Sequence, residues 1–121
     1  DFPFDFMNGK RGTAEFEVDH IIPSDFEMII YGPCVNPKVL MNGYPYEVLT
    51  TLEKNEYLII NSSEQTIMKY LSNGTTANLF DVRGYDYSVF KKIPSGLISV
   101  NWSGDFGIDL YVFLKRKEAA W

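Results

Sequence analysis

The chain of 121 residues holds a single histidine and a single cysteine. His20 lies in Val18-Asp19-His20-Ile21 with no serine or cysteine elbow beside it, so an acyl-transfer triad, which needs a base placed to take the nucleophile's proton, has no visible basis. One imidazole and one thiol also fall short of the three or four ligands that zinc requires. Cys34 has no partner for an internal disulfide and no base next to it; it reads as an inert buried thiol, and stability must come from packing. Basic residues are few. The 11 Lys and Arg stand against 16 Asp and Glu for a formal net charge of -5. The short groups Lys91-Lys92 and Lys115-Arg116-Lys117 do not make the electropositive footprint a phosphate backbone demands, so no nucleic acid partner is expected. Long apolar runs are lacking as well. None approaches the roughly 20 residues of a spanning helix, and the N-terminus lacks the basic-then-apolar order of a secretion signal, which predicts a soluble chain without membrane insertion.

Carboxylates are plentiful, but their arrangement is uninformative. Asp81, Asp86, Asp105 and Asp109 could offer oxygens to calcium, yet their spacings match no recognised loop. Glycoside hydrolysis needs only two carboxylates at a suitable separation, and among sixteen acidic residues some pair arises by chance. None stands out on an inward strand face. The expectation is a non-enzymatic protein with no catalytic residue, metal or cofactor.

What the chain does have is aromatic and strand-forming: Phe 9, Tyr 8 and Trp 2, 16% of the residues, with Val, Ile and Thr recurring in short segments. Residues 13–19 alternate Ala14, Phe16 and Val18 with Glu15, Glu17 and Asp19, the period of a half-buried strand. Residues 26–31 set Phe26, Met28 and Ile30 against Glu27, Ile29 and Tyr31 and stop at Gly32-Pro33. Residues 38–41 and 44–49 flank Asn42-Gly43, the dipeptide suited to a two-residue type I′ hairpin. Further strands are predicted over 56–60, 66–71, 97–102 and 108–114, and one short helical turn over 78–83 with Asn78 as its cap. About eight strands, spaced roughly 8 to 12 residues apart with turn chemistry between them, predict an all-β protein, an antiparallel sandwich with at most one short helix. The predicted core is Phe16, Val18, Met28, Ile30, Leu58, Ile60, Ile98, Val100, Leu110 and Val112. The chain starts at Asp1 rather than at Met, and residues 1–12 are read as a lead-in or linker from a missing upstream domain, with residues 13–121 as one sandwich domain.

The outer positions are less regular. Ile29, Tyr31, Tyr57, Ile59, Tyr111 and Phe113 are apolar or aromatic where polar residues would be usual, so the outer surface should be covered in part by the N-terminal segment, the short helix or another chain. Carbohydrate modules stack aromatic rings on sugar faces, and Tyr85, Tyr87, Trp102 and Trp121 are the rings that could serve in such a role, with Trp102 also fitting the core.

Taken in order, Gly32-Pro33-Cys34-Val35-Asn36-Pro37, the Asn42-Gly43 hairpin, Glu56-Tyr57-Leu58-Ile59-Ile60, Ile93-Pro94-Ser95-Gly96, Asn101-Trp102-Ser103-Gly104 and a final strand running to Arg116 and Trp121 give residues 13–121 a familiar outline. It resembles the C-terminal, galectin-like domain of the distal tail protein family of siphophages and prophages. That resemblance implies a galectin-like, jelly-roll type sandwich and a structural role in the tail tip or baseplate of a virion assembled in the bacterial host cytoplasm. It also implies contacts with other tail-tip proteins and a homo-hexamer formed by the full-length protein through its N-terminal domain. It brings no catalytic residues. The chain departs from the galectin lectin signature: Cys34 stands where a histidine would precede Asn36-Pro37, Lys38 follows in place of arginine, and Trp102-Ser103-Gly104-Asp105 differs from tryptophan-glycine-any-glutamate. A carbohydrate-binding module for host attachment is the alternative, and Tyr85, Tyr87, Tyr111 and Phe113 are the candidate contacts for a protein partner or a glycan.

Overall fold

In the computed structural model, the described residues are 2–6, 13–18, 23–82, 88–103 and 106–113. In chain order they form β1 (Phe2–Phe6), β2 (Thr13–Val18), β3 (Asp25–Tyr31), β4 (Cys34–Val35), β5 (Lys38–Met41), β6 (Tyr44–Glu47), β7 (Thr51–Leu52), β8 (Tyr57–Asn61), β9 (Thr66–Tyr70), β10 (Thr76–Asn78), a 3-10 turn (Phe80–Val82), β11 (Gly96–Asn101) and β12 (Ile108–Phe113). Every pairing is antiparallel. Strands β1-β12-β3-β8-β9-β10 make a six-stranded sheet, β2-β11-β5-β6 a four-stranded one, and β4-β7 a small ribbon. The protein is an all-β sandwich.

Period-2 alternation builds the core. Phe26, Met28 and Ile30 of β3, Leu58 and Ile60 of β8, and Ile108, Leu110 and Val112 of β12 are buried, while the residues between them are partly exposed. They meet Phe16 and Val18 of β2, Ile98 and Val100 of β11, and Val39 and Met41 of β5 in one cluster. All ten predicted core residues belong to it. Burying each such side chain contributes about 1.5–3 kcal/mol. An edge-to-face contact of Phe26 with Tyr46 at 5.3 Å joins the two sheets, and a bridge between Ser24 and Ile93 ties the start of β3 to the segment before β11. The Tyr46 hydroxyl donates to Lys91 O at 2.7 Å and the Tyr44 hydroxyl to Ser88 O at 2.8 Å, so β6 holds that segment in place.

The hairpin forms as its dipeptide predicts, with Asn42 at φ 51° and Gly43 at φ 82°. Asn42 does more than turn: its N–H donates to Ser99 O and its Oδ1 accepts from Ser99 N–H, both at 2.8 Å, which extends the β5–β11 ladder around the corner.

Structure and sequence expectation differ in detail at several places. Residues 2–6, read as lead-in, form β1 and pair along their whole length with β12, from Phe2 opposite Val112 to Phe6 opposite Ile108. The Phe-x-Phe-x-Phe alternation is itself a strand period, obscured by its brevity and by the polar residues after it. The strand predicted at 56–60 is Tyr57–Asn61, and Glu56 closes the preceding turn by accepting the Glu53 N–H at 2.9 Å. The helical turn is three residues of 3-10 geometry, with Asn78 Oδ1 accepting the Phe80 N–H at 2.8 Å while Asn78 itself ends β10. Strands β4, β7 and β10 are too short for alternation to reveal them.

Candidate functional site

Because alternate residues of a strand face opposite ways, the half of each β3, β8, β9 and β12 side-chain set that misses the core forms the outer face of the six-stranded sheet. The register stacks these residues in rows across the strands. One row runs Asp109, Ile29, Ile59, Met68. The adjacent row runs Tyr31, Tyr57, Tyr70, with Tyr57 and Tyr70 stacked at 4.9 Å and Tyr31 tilted against Tyr57 at 6.0 Å. The Tyr31 hydroxyl donates to Asp109 Oδ2 at 2.6 Å, locking the end of the tyrosine row to β12. Asp109 Oδ1 is buried without a hydrogen-bond partner.

Tyr111 and Phe113 lie on this same outer face and are half-buried, Tyr111 opposite Glu27 and Phe113 opposite Asp25. They stand on an inner strand, β12 being flanked by β1 and β3, so their backbone edges are already paired. Tyr85 and Tyr87 lie outside the described residues, as do His20, Asp86, Asp105 and Trp121. The structure therefore brings Tyr111 and Phe113 onto one sheet face with Tyr31 and Tyr57. Sequence reading missed two members of that face, Met68 and Tyr70. The signal was present in the alternation of Thr66, Met68 and Tyr70 with Ile67 and Lys69, where only Ile67 is buried.

Cover for this face was expected from the N-terminal segment, the short helix or another chain. Among the described residues β1 extends the sheet edgewise beside β12, and the 3-10 turn follows β10 at the opposite margin. Within the tyrosine row, neighbouring rings cover one another in part.

Polar groups under the surface serve the scaffold. Ser62 Oγ accepts the Phe26 N–H at 2.8 Å and donates to Asp25 Oδ1 at 3.0 Å, fastening the turn after β8 to the start of β3. Buried Glu56 sits 3.7 Å from the Lys69 ammonium, which donates to Thr51 O at 2.8 Å, so β9 is joined to the ribbon strand β7. Burial pushes the Cys34 thiol up to about 11 and raises the Tyr46 phenol further above its ordinary value, with neighbouring Tyr44 adding to the latter. Both groups are thus neutral and unreactive near pH 7. Among the described residues no group of three or more His, Cys, Asp or Glu is placed to hold a metal ion. Asp81 is exposed on the 3-10 turn, and Asp109 is committed to Tyr31.

No family model matches the chain, and no curated protein matches it. Among solved structures, the fold is similar to a chain of the phage P2 baseplate in its activated conformation with Ca, with a TM-score of 0.54 and 19% identity. The superposition covers 84% of this chain and 36% of that one, so the chain spans about a third of its neighbour's length. At 19% identity the likeness is one of fold.

Proposed function

We propose that the chain is a structural module of a phage or prophage tail tip, the C-terminal galectin-like domain of a distal tail protein, acting through contacts with other tail-tip proteins and not as an enzyme. The observation that carries this reading is the fold likeness to a phage baseplate chain over 84% of the residues. The order of turns and strands in the sequence, which resembles that of the distal tail protein family, supports the finer reading. The chemistry is consistent: among the described residues the perturbed groups are a half-buried thiol and a buried phenol raised by desolvation, and each polar network described above ties one strand to another. In this reading hexamers form only in the full-length protein, and Tyr111 and Phe113 are contact residues for a neighbouring tail protein.

Antibody against the chain, applied to tailed particles made by the cell that encodes it, is expected to decorate the distal end of the tail tube in electron micrographs. Label confined to particle-free fractions, or to capsids, overturns the assignment.

A further inference from the structure

Three Asn-Gly dipeptides occur in the chain, at Asn8-Gly9, Asn42-Gly43 and Asn73-Gly74, and the first lies outside the described residues. Such a pair is open to self-modification, because glycine has no side chain to shield its nitrogen from the asparagine amide carbon beside it. The reaction needs only water. The glycine nitrogen loses its proton to hydroxide and attacks the asparagine Cγ; the new N–C bond closes a succinimide ring, the Cγ–Nδ2 bond breaks, and the amide nitrogen leaves as ammonia with a proton from solvent. One water then opens the ring. Cleavage at Cγ gives aspartate, and cleavage at the main-chain carbonyl carbon gives isoaspartate, whose backbone runs through the former side chain.

Both described pairs are exposed in turns, yet they are held differently. At the β5–β6 hairpin the Asn42 amide is tied to β11 at both ends: Oδ1 accepts from Ser99 N–H at 2.8 Å and Nδ2 donates to Leu97 O at 3.4 Å. The Asn42 main-chain N–H adds a third link, to Ser99 O at 2.8 Å. Swinging Cγ onto Gly43 N breaks the side-chain links and leaves Ser99 N–H without its acceptor.

The turn between β9 and β10 is built the other way. Asn73 Oδ1 accepts from Thr75 N–H at 3.0 Å and from the Thr75 hydroxyl at 2.7 Å, so both donors belong to the turn itself. They draw electron density from Cγ and stabilise the negative charge this oxygen gains as nitrogen adds, the part that donors play in an oxyanion hole. The leaving nitrogen, Nδ2, makes no hydrogen bond among the described residues. No atom lies within 4 Å of the place a Gly74 Cβ would take, which leaves the approach open to hydroxide. One contact opposes reaction: Gly74 N–H donates to Leu71 O at 3.0 Å and must be released. That is a single bond in an exposed turn, whereas Asn42 must give up its links to another strand.

We propose that Asn73-Gly74 is a site of spontaneous, water-driven deamidation in the folded protein, and that the clamp on Asn42 spares the other described pair. Either product adds a negative charge beside β10. Isoaspartate also lengthens the main chain inside a turn that is closed by Gly74 N–H to Leu71 O and by Leu71 N–H to Thr75 O at 2.9 Å. The chemistry is set by the turn and is independent of the tail-tip assignment.

The test is peptide mapping by mass spectrometry of the folded 121-residue protein after incubation at mildly alkaline pH. Conversion at Asn73, seen as the mass change from amide to acid and as a separately eluting isoaspartyl peptide, is expected about tenfold faster than at Asn42. In guanidinium chloride, with both turns lost, the two should react at similar rates, since each is followed by glycine. Thr75→Val keeps the β-branched shape and removes the hydroxyl donor; it should slow Asn73 about fivefold with an unchanged Tm and leave Asn42 unaltered. Equal rates at the two sites in the folded chain overturn the proposal, and so does a Thr75→Val chain whose Asn73 reacts as fast as the parent's.

Discussion

Two glycines are required for different physical reasons, and substitution separates them. Gly43 has no atom near the position a Cβ would take, so its requirement is purely the positive φ of 82°. Gly43→Val is expected to cost about 1–2 kcal/mol or more through backbone strain alone. Gly32 has ordinary φ, but a Cβ there would run into the carbonyl oxygen of Glu53 and lie 2.9 Å from Leu52 Cβ. Gly32→Ala should therefore destabilise by about 1–3 kcal/mol through overpacking, because the obstacle is backbone and cannot swing aside. Denaturant melts of both variants against the parent check the two figures. A loss at Gly43 below about 0.5 kcal/mol, the usual range for a surface change, would show that the turn relaxes into another type.

At the scale of elements, each strand that alternates cleanly contributes two or three side chains to the shared layer, so single truncations should be costly wherever they fall. Phe16→Ala in β2 is expected to cost about 3–5 kcal/mol by equilibrium unfolding, since Phe16 belongs to the buried cluster and its removal leaves a void there. Ser62→Ala removes the acceptor for the buried Phe26 N–H, and about 1–3 kcal/mol is expected from the unsatisfied group. Strand β1 supplies a different test. A chain beginning at Thr13 loses the five-residue pairing with β12 and leaves β12 as an open edge. That truncation should lower the Tm and promote concentration-dependent association, read by light scattering, because an unpaired strand edge is a template for other chains.

For the whole molecule, the raised Cys34 and Tyr46 values give a direction of pH dependence. Both groups are more reluctant to ionise in the folded chain than in the unfolded one, whose thiol titrates near 9.0 and phenol near 10.0. The folded state then binds more protons in that range. The stability these groups contribute is complete below about pH 9 and declines as the pH rises through the Cys34 value of about 11. Thermal melts from pH 7 to 11 should show a falling Tm above pH 9, and Cys34→Ser with Tyr46→Phe should flatten the fall. The isolated chain is also expected to sediment as a monomer at micromolar concentration and to leave cell-wall glycans uncleaved. A stable hexamer of this chain alone would move the ring contacts of the proposed tail protein into this domain.

What alternation and turn chemistry determined was local. The inward faces of β2, β3, β8, β11 and β12, the Asn42-Gly43 hairpin and the all-β class were legible because a strand's side-chain period is two residues and a type I′ turn demands positive φ at both positions. Strands of two or three residues, such as β4, β7 and β10, carry too few alternations to register and exist because a neighbour offers free N–H and C=O groups. Only the tertiary structure decided which strands lie side by side. That choice set Tyr70 against Tyr57 and gave Asp109 the Tyr31 hydroxyl. Pairing is a property of surfaces far apart in sequence, and it is settled by how two sheets bury their apolar faces together rather than by any residue's neighbours along the chain.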